Sequence, residues 1–407
     1  MERAYEHLLR ERLRRFPCVA VVGPRQCGKT TLLKQLSMEW EVFDLERAAD
    51  LDAVRRDPDL FFRLHPRRIA LDEAQVLPSL FPALRVAIDA DRSVKGRFVI
   101  TGSSSPHLLR SVSESLAGRV AIIELAPFSC SEAFGRPESP FFSLLARRAK
   151  AKEWVRDLRP RATLREIHDY WWRGGFPEPW LAKGRDLHRD WMDQYIQTYI
   201  QRDVLRLFPG LNQDRFRLFT QLLAGLSGTV INFSDAARAL GVSPPTIRDY
   251  FEIAHGSFLW RTLPPYEKKA LKRVVRHPRG HLRDSGVLHH LMRLPDQKAL
   301  LSHPQMGFSW EGMVTEEIIR GLNARGISHD AYFYRTGAGG EVDLVLEGAF
   351  GLLPIEIKHG QTVTAYELRS LSEFVRERRC PLGLVINNDE RPRLYAENLL
   401  GVPFSCL

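Results

Sequence analysis

No stretch of the chain approaches the roughly 18–20 consecutive apolar residues of a membrane span. Met1–Phe16 is rich in charge and has no apolar run of the kind a secretory leader carries. Cysteine is scarce. Its five copies, Cys18, Cys27, Cys130, Cys380 and Cys406, are scattered, odd in number and never spaced as CxxC. This argues against a disulfide framework or a zinc site and fits a reducing, cytoplasmic setting. Acidic residues are outnumbered, 49 to 59 basic ones, which leaves a net charge of +10. That excess favours an acidic partner such as nucleic acid, or else forms an inert basic surface. With 407 residues, two or three domains are expected.

What is present begins with a short apolar run, Cys18–Val22, that reads as a buried parallel strand. Gly23-Pro24-Arg25-Gln26-Cys27-Gly28-Lys29-Thr30 follows directly, and Thr31–Leu36 reads as a helix. A glycine-rich loop between strand and helix is the Walker A arrangement. Gly23 and Gly28 let backbone N–H groups turn toward phosphates, and the new helix offers its positive end to the same oxygens. Lys29 reaches the β- and γ-phosphates, while Thr30, with Thr31 beside it, starts the helix and offers a hydroxyl to Mg²⁺. A second apolar strand, 67–71, ends in Asp72 and Glu73. Asp72 is expected to hold the Mg²⁺ shell and Glu73 to act as general base on the attacking water. A third strand ends in Thr101-Gly102-Ser103-Ser104, where Ser103 or Ser104 would sense the γ-phosphate or simply make a turn. No NKxD guanine-reading string occurs, so ATP is expected over GTP. Arg119 is either a finger completing a neighbouring subunit's site, which implies a homo-oligomer, or a structural salt bridge.

Taken together, the Gly23–Thr30 loop, Leu71-Asp72-Glu73-Ala74-Gln75, Thr101-Gly102-Ser103 and Leu116-Ala117-Gly118-Arg119 resemble a prokaryotic AAA-type ATPase family. Leu125-Ala126-Pro127-Phe128-Ser129, Gly174-Gly175-Phe176-Pro177-Glu178 and Tyr199 to Arg202-Asp203-Val204 extend the likeness over nearly the whole chain. The resemblance implies an ATPase domain joined to a carboxyl-terminal domain of poorly defined function. It says little about substrate. Cys27 stands where a small aliphatic residue is commoner.

Beyond residue 130 the pattern is helical to about residue 229. Trp171, Trp172, Trp180 and Trp191 are expected in a core or domain interface. Residues 230–263 outline a helix-turn-helix or winged helix, with Ser234 and Ser243 capping its helices and Pro244 opening the second. It is either a DNA reader or a packing module; Asp249 and Glu252 oppose phosphate binding. Lys268, Lys269, Lys272, Arg273, Arg276 and Arg279 then cluster around a turn, as a DNA contact or a solvated hairpin. Residues 264–407 close the chain with a helix bearing Glu316 and Glu317, a strand Glu341–Leu346 and a strand Leu352–Lys358. Alternation sends Asp343 to one face of its strand and puts Glu356 with Lys358. Two carboxylates and a lysine in this D…ExK order suit Mg²⁺ and an activated water. They resemble the PD-(D/E)xK nuclease superfamily, with Glu316 as the additional acidic ligand. The domain either cuts DNA or is a degenerate relative that binds DNA or a protein. The expected architecture is therefore α/β: an AAA-type P-loop NTPase with a parallel sheet over 1–130, a helical region over 131–229, the winged-helix module, and an α/β nuclease-like domain.

Overall fold

Five short apolar strands alternate with helices in the first part of the chain. In the computed structural model they are β1 (Cys18–Gly23), β2 (Trp40–Asp44), β3 (Arg68–Asp72), β4 (Phe98–Ser103) and β5 (Val120–Glu124). The structure describes residues 3–36, 39–103, 114–182, 185–198, 204, 208, 210–267, 277–337 and 339–407. Ser104, Tyr199, Arg202, Asp203, Lys268, Lys269, Lys272, Arg273 and Arg276 lie outside that set.

The five strands are parallel, in the order β2-β3-β4-β1-β5. Every residue of β1 and β4 is buried, as expected for central strands covered on both faces. Alternate residues of β1 serve different cores. Cys18, Ala20 and Val22 pack with Phe61, Phe62, Leu80 and Leu84, from helices Pro58–Leu64 and Leu80–Ala90. Val19 and Val21 pack with Leu8, Leu9, Leu32 and Leu33, from helices Tyr5–Arg15 and Lys29–Lys34. The result is a three-layer unit made chiefly of Met1–Phe128. Because β4 lies between β1 and β3, their carboxyl ends share one edge. Gly23 pairs with Ser103, and Leu71, just before Asp72, pairs with Ile100.

The second compact unit holds most of the rest of the chain. Its first part is helical, as expected, up to helix Gln213–Leu226. Trp171 is fully buried and its indole N–H donates to Ser309. Strand β6 (Thr229–Val230), helices Phe233–Leu240 and Pro244–Gly256, and strands β7 (Trp260–Leu263) and β8 (Arg279–Leu282) follow. These strands form one antiparallel sheet, β6-β8-β7, so this module runs on to Leu282. Ser243 accepts from Thr246 N–H at the second helix as expected. The first helix is capped by Asn232, not Ser234: Asn232 accepts from the Ser234 N–H, and the helix starts at Phe233.

Helix Met306–Ala324 leads to β9 (His329–Arg335), β10 (Glu341–Gly348) and β11 (Gly351–Ile357), an antiparallel meander. After helix Arg369–Arg378 come β12 (Gly383–Asn387), β13 (Arg393–Ala396) and β14 (Leu399–Pro403). The order is β13-β14-β12-β11-β10-β9, with β12 parallel to β11. The register of β10 against β9 shifts between Val342 and Val345. Both valines face the same core, so the simple alternation expected around Asp343 is interrupted there by an irregularity of bulge type.

Candidate functional sites

At the carboxyl edge of the parallel sheet, Gly23 leaves no room for a side chain: a Cβ there would lie 2.1 Å from the Leu125 carbonyl oxygen. Gly28 has φ 102°, a left-handed conformation that glycine adopts without strain. Lys29 is buried, and its ammonium donates to the carbonyls of Gly23 (3.1 Å) and Pro24 (2.9 Å). Thr30 Oγ1 donates to Asp72 Oδ2 at 2.6 Å, and Thr101 donates to the other oxygen of that carboxylate. A hydroxyl and a carboxylate thus stand side by side, the hard oxygen pair that Mg²⁺ favours. Cys27 is fully buried, with its thiol on the Leu125 carbonyl at 3.4 Å. Thr31 and Gln26 are exposed.

Glu73 follows β3 in a left-handed conformation, φ 53°, that turns its side chain back toward β4. Its Oε2 accepts from Ser103 N–H (3.1 Å), Ser103 Oγ (2.8 Å) and Gln75 Nε2. Lys29 Nζ is 4.0 Å from the other oxygen. Burial pushes this carboxyl up, but the Lys29 charge and the Gln75 and Ser103 hydrogen bonds outweigh it and hold it below the ordinary range. Glu73 is therefore an anion. Gln75 and Thr101 escaped attention in the sequence, although both lie inside the quoted strings. Arg3 gave no local signal at all. It is buried, and its guanidinium donates to the carbonyls of Cys27 (2.7 Å) and Ala126 (2.6 Å), bracing the loop from behind.

Two arginines sit differently from each other. Arg25 donates to Glu46 at 2.8 Å and reaches Ser103 Oγ at 3.5 Å, so it belongs to the same end of the sheet as Gly23 and Ser103. Arg119 does not. It precedes β5, whose first residue Val120 pairs with Cys18 at the opposite end of β1 from Gly23. Five residues of strand separate the two, about 16 Å at about 3.3 Å per residue. Its guanidinium forms a two-pronged pair with Asp89, both bonds 2.8 Å. Within one chain Arg119 thus makes the salt bridge, with both prongs engaged by Asp89.

In the carboxyl-terminal sheet, Asp343 and Glu356 do come together. Asp343 Oδ2 accepts the Ile357 N–H at 2.9 Å, and Lys358 Nζ donates to Glu356 Oε1 at 2.7 Å. Glu316 is not with them. It is buried in a separate knot with Arg261, His281 (3.0 Å) and Arg283 (3.3 Å), and that positive company holds it well below the usual carboxylate range despite burial. The helix acid that faces Asp343 is Glu311, five residues earlier and so about 140° around the helix from Glu316. Arg279 bridges the two: it donates to Asp343 Oδ1 at 3.2 Å and to Glu311. Arg279 is thus buried rather than presented to DNA. The five other basic residues expected to touch DNA lie outside the described set. Among the described residues, no group of three or more His, Cys, Asp or Glu side chains is placed to hold a metal ion. No helix among them is long and apolar enough to cross a membrane.

Comparison with known proteins gives an AAA domain over residues 15–134, and domains of unknown function, DUF8612 and DUF4143, over 164–298 and 306–407. Among solved structures, the Walker-type ATPase PABY2304 of Pyrococcus abyssi is 14% identical, covers 71% of this chain and 94% of its own, and has a TM-score of 0.41. The uncharacterized protein Rv2008c of Mycobacterium tuberculosis is 33% identical over 355 residues, 87% of this chain and 73% of that protein. Mb2031c of Mycobacterium bovis matches by the same figures. The chain belongs to the family of these mycobacterial proteins, and its first domain is an AAA-type ATPase domain of the P-loop class.

Proposed function

We propose that the chain binds ATP with Mg²⁺ at Gly23–Thr31, hydrolyses it, and uses the turnover to act on duplex or branched DNA. The observation that carries the hydrolysis is the meeting of Lys29, Thr30, Asp72 and an ionised Glu73 at one sheet edge. Lys29 exchanges two backbone carbonyls for phosphate oxygens. Thr30 and Asp72 hold the metal, which neutralises phosphate charge when bound. Glu73 orients water and takes its proton, with Ser103 and Gln75 fixing its carboxylate.

The DNA half of the proposal has separate support. Helix, β6, two helices, β7 and β8, with β8 central in the sheet, follow the order of a winged helix. The basic run 268–276 falls along the chain between β7 and β8. Asp343 and Glu356 stand on adjacent strands with Lys358 on Glu356, in keeping with a nuclease-like domain, but the Arg279 bridge argues for binding there rather than cutting.

The test is ATP turnover without DNA, with duplex DNA and with four-way junctions, beside DNA affinity measured across salt. Wild type should hydrolyse ATP and Glu73→Gln should not. DNA should stimulate turnover, with affinity falling steeply as salt rises because bound counterions are released. Hydrolysis indifferent to DNA, with no binding at low salt, would favour instead a regulatory ATPase that switches a protein complex, with the nuclease-like domain as an inactive interaction surface.

A further inference from the structure

The carboxylate pocket of the second unit has the components of a cation site and already contains a cation. Glu311, Asp343 and Glu356 are acids converging from a helix and two adjacent strands, each largely withdrawn from water. Burying several carboxylates together is costly unless positive charge accompanies them. Arg279 supplies it. Its Nη1 donates to Asp343, its Nη2 to Glu311, and its Nε to the Gly228 carbonyl at 2.7 Å. Each prong of the guanidinium is used, which is the fork geometry that makes arginine a rigid bridge between carboxylates. One buried acceptor of the three acids remains unused. Glu356 is 6% exposed, and its Oε2 is buried with no hydrogen-bond partner, while Oε1 takes Lys358.

We propose that this pocket is a divalent-cation site filled from within, with the Arg279 guanidinium standing where a metal ion would bridge Asp343 and Glu311. While Arg279 is in place, the pocket takes no Mg²⁺ or Mn²⁺. Removing the guanidinium vacates the space between two carboxylates and brings the spare oxygen of Glu356 into use as a further ligand. The inference does not depend on ATP hydrolysis or DNA binding. It needs only the geometry of Arg279 and the three acids.

The experiment measures Mn²⁺ binding by the full, nucleotide-free chain, using the electron paramagnetic resonance signal of free Mn²⁺. Four proteins are compared: wild type, Asp343→Asn, Arg279→Met, and Arg279→Met with Asp343→Asn. Wild type and Asp343→Asn should bind equal amounts, because no metal rests on Asp343. Arg279→Met should gain one Mn²⁺ per chain, at least tenfold tighter than any site in wild type, and the double variant should lose it. Mn²⁺ should also raise the melting temperature of Arg279→Met more than that of wild type. A Mn²⁺ ion bound by wild type and lost in Asp343→Asn overturns the proposal, since metal and guanidinium would then coexist. So does a folded Arg279→Met that gains none. If Arg279→Met does not fold, the comparison of wild type with Asp343→Asn still decides: equal binding supports a filled site, and loss refutes it.

Discussion

Glu73 and Glu356 are both largely buried, each lies at the carboxyl end of a strand, and each has a lysine nearby, yet one is held ionised and the other is pushed toward its protonated form. Glu73 has three hydrogen bonds on one oxygen and Lys29 facing the other, so its negative charge survives burial. Glu356 has one lysine, a buried oxygen without a partner, and two other acids nearby. Burial and repulsion from Asp343 push it up to about 8. Burial and the same aspartate push Glu311 up to about 8 as well, against the pull of Arg279. Burial and a shared negative neighbour thus shift both Glu311 and Glu356 toward the protonated form. Burial alone therefore does not set a carboxyl's state; the donors built around it do. One site holds its carboxyl as an anion. The other is neutralised by proton and guanidinium.

The sharpest way to break this contrast is at the first site. Glu73→Gln should leave nucleotide binding intact and lower turnover by about 10²–10⁴-fold, the usual loss of a general base. Lys29→Ala should lose tight binding itself. Fluorescent-nucleotide titration and steady-state phosphate release separate the two. Equal turnover in wild type and Glu73→Gln would remove Glu73 from the chemistry.

Next in size is the second site. Arg279→Met leaves Asp343 and Glu311 buried beside each other without their bridge. Breaking a buried pair from one side costs about 3–5 kcal/mol, read as an earlier denaturant midpoint. Glu311→Gln should cost less, because it removes a charge from a cluster with too many of one sign. If Glu311→Gln is the more damaging change, Glu311 is fully ionised and the balance drawn above is wrong.

How much of this could be read in the sequence depends on whether partners lie close along the chain. The P-loop is a local object: strand, glycine loop and helix are contiguous, so its geometry follows from the string. The Asp72–Glu73 and Ser103 strand ends were equally legible, because a parallel sheet brings carboxyl ends to one edge whatever the intervening helices do. Side-chain direction on a helix was not. Glu311, Glu316 and Glu317 all sit on one helix, and only the crossing of that helix over the sheet decides which acid meets Asp343. Nor could Arg279 be told from its basic neighbours. It reads as one more charge in a cluster, but β8 draws it into the antiparallel sheet and buries it. Arg119 is hard to place for a different reason: it lies near a motif along the chain, but it immediately precedes β5 and so stands at the end of the sheet away from Gly23.

A smaller effect sharpens the difference in protonation. A carboxyl raised from its unfolded 4.5 to about 8 binds a proton in the folded state that the unfolded chain releases. Its contribution is fully present below about 4.5 and lost as pH rises through about 8. Between pH 7 and 9, one such proton accounts for about 1.4 kcal/mol. Wild type should therefore lose more stability over that interval than Glu356→Gln, which cannot release the proton. Parallel melting curves at pH 7, 8 and 9 make the comparison, and identical slopes would mean that the cluster holds no extra proton.

The smallest expected effect is at Arg119, and it tests whether the first site is complete within one chain. The Arg119–Asp89 pair lies at the amino end of the sheet, partly open to solvent, and such pairs contribute little. At the loop end of the sheet, Arg25 already brings a guanidinium to Ser103. Arg119→Ala should therefore keep turnover within about twofold of wild type, as expected for a surface pair. Adding Lys29→Ala protein should raise it no further. The opposite pattern is equally definite. If Arg119→Ala is inactive and Lys29→Ala restores hydrolysis on mixing, an interface between two copies then holds both intact groups, Arg119 leaves Asp89 for a neighbour's phosphates, and the ATPase is built between subunits.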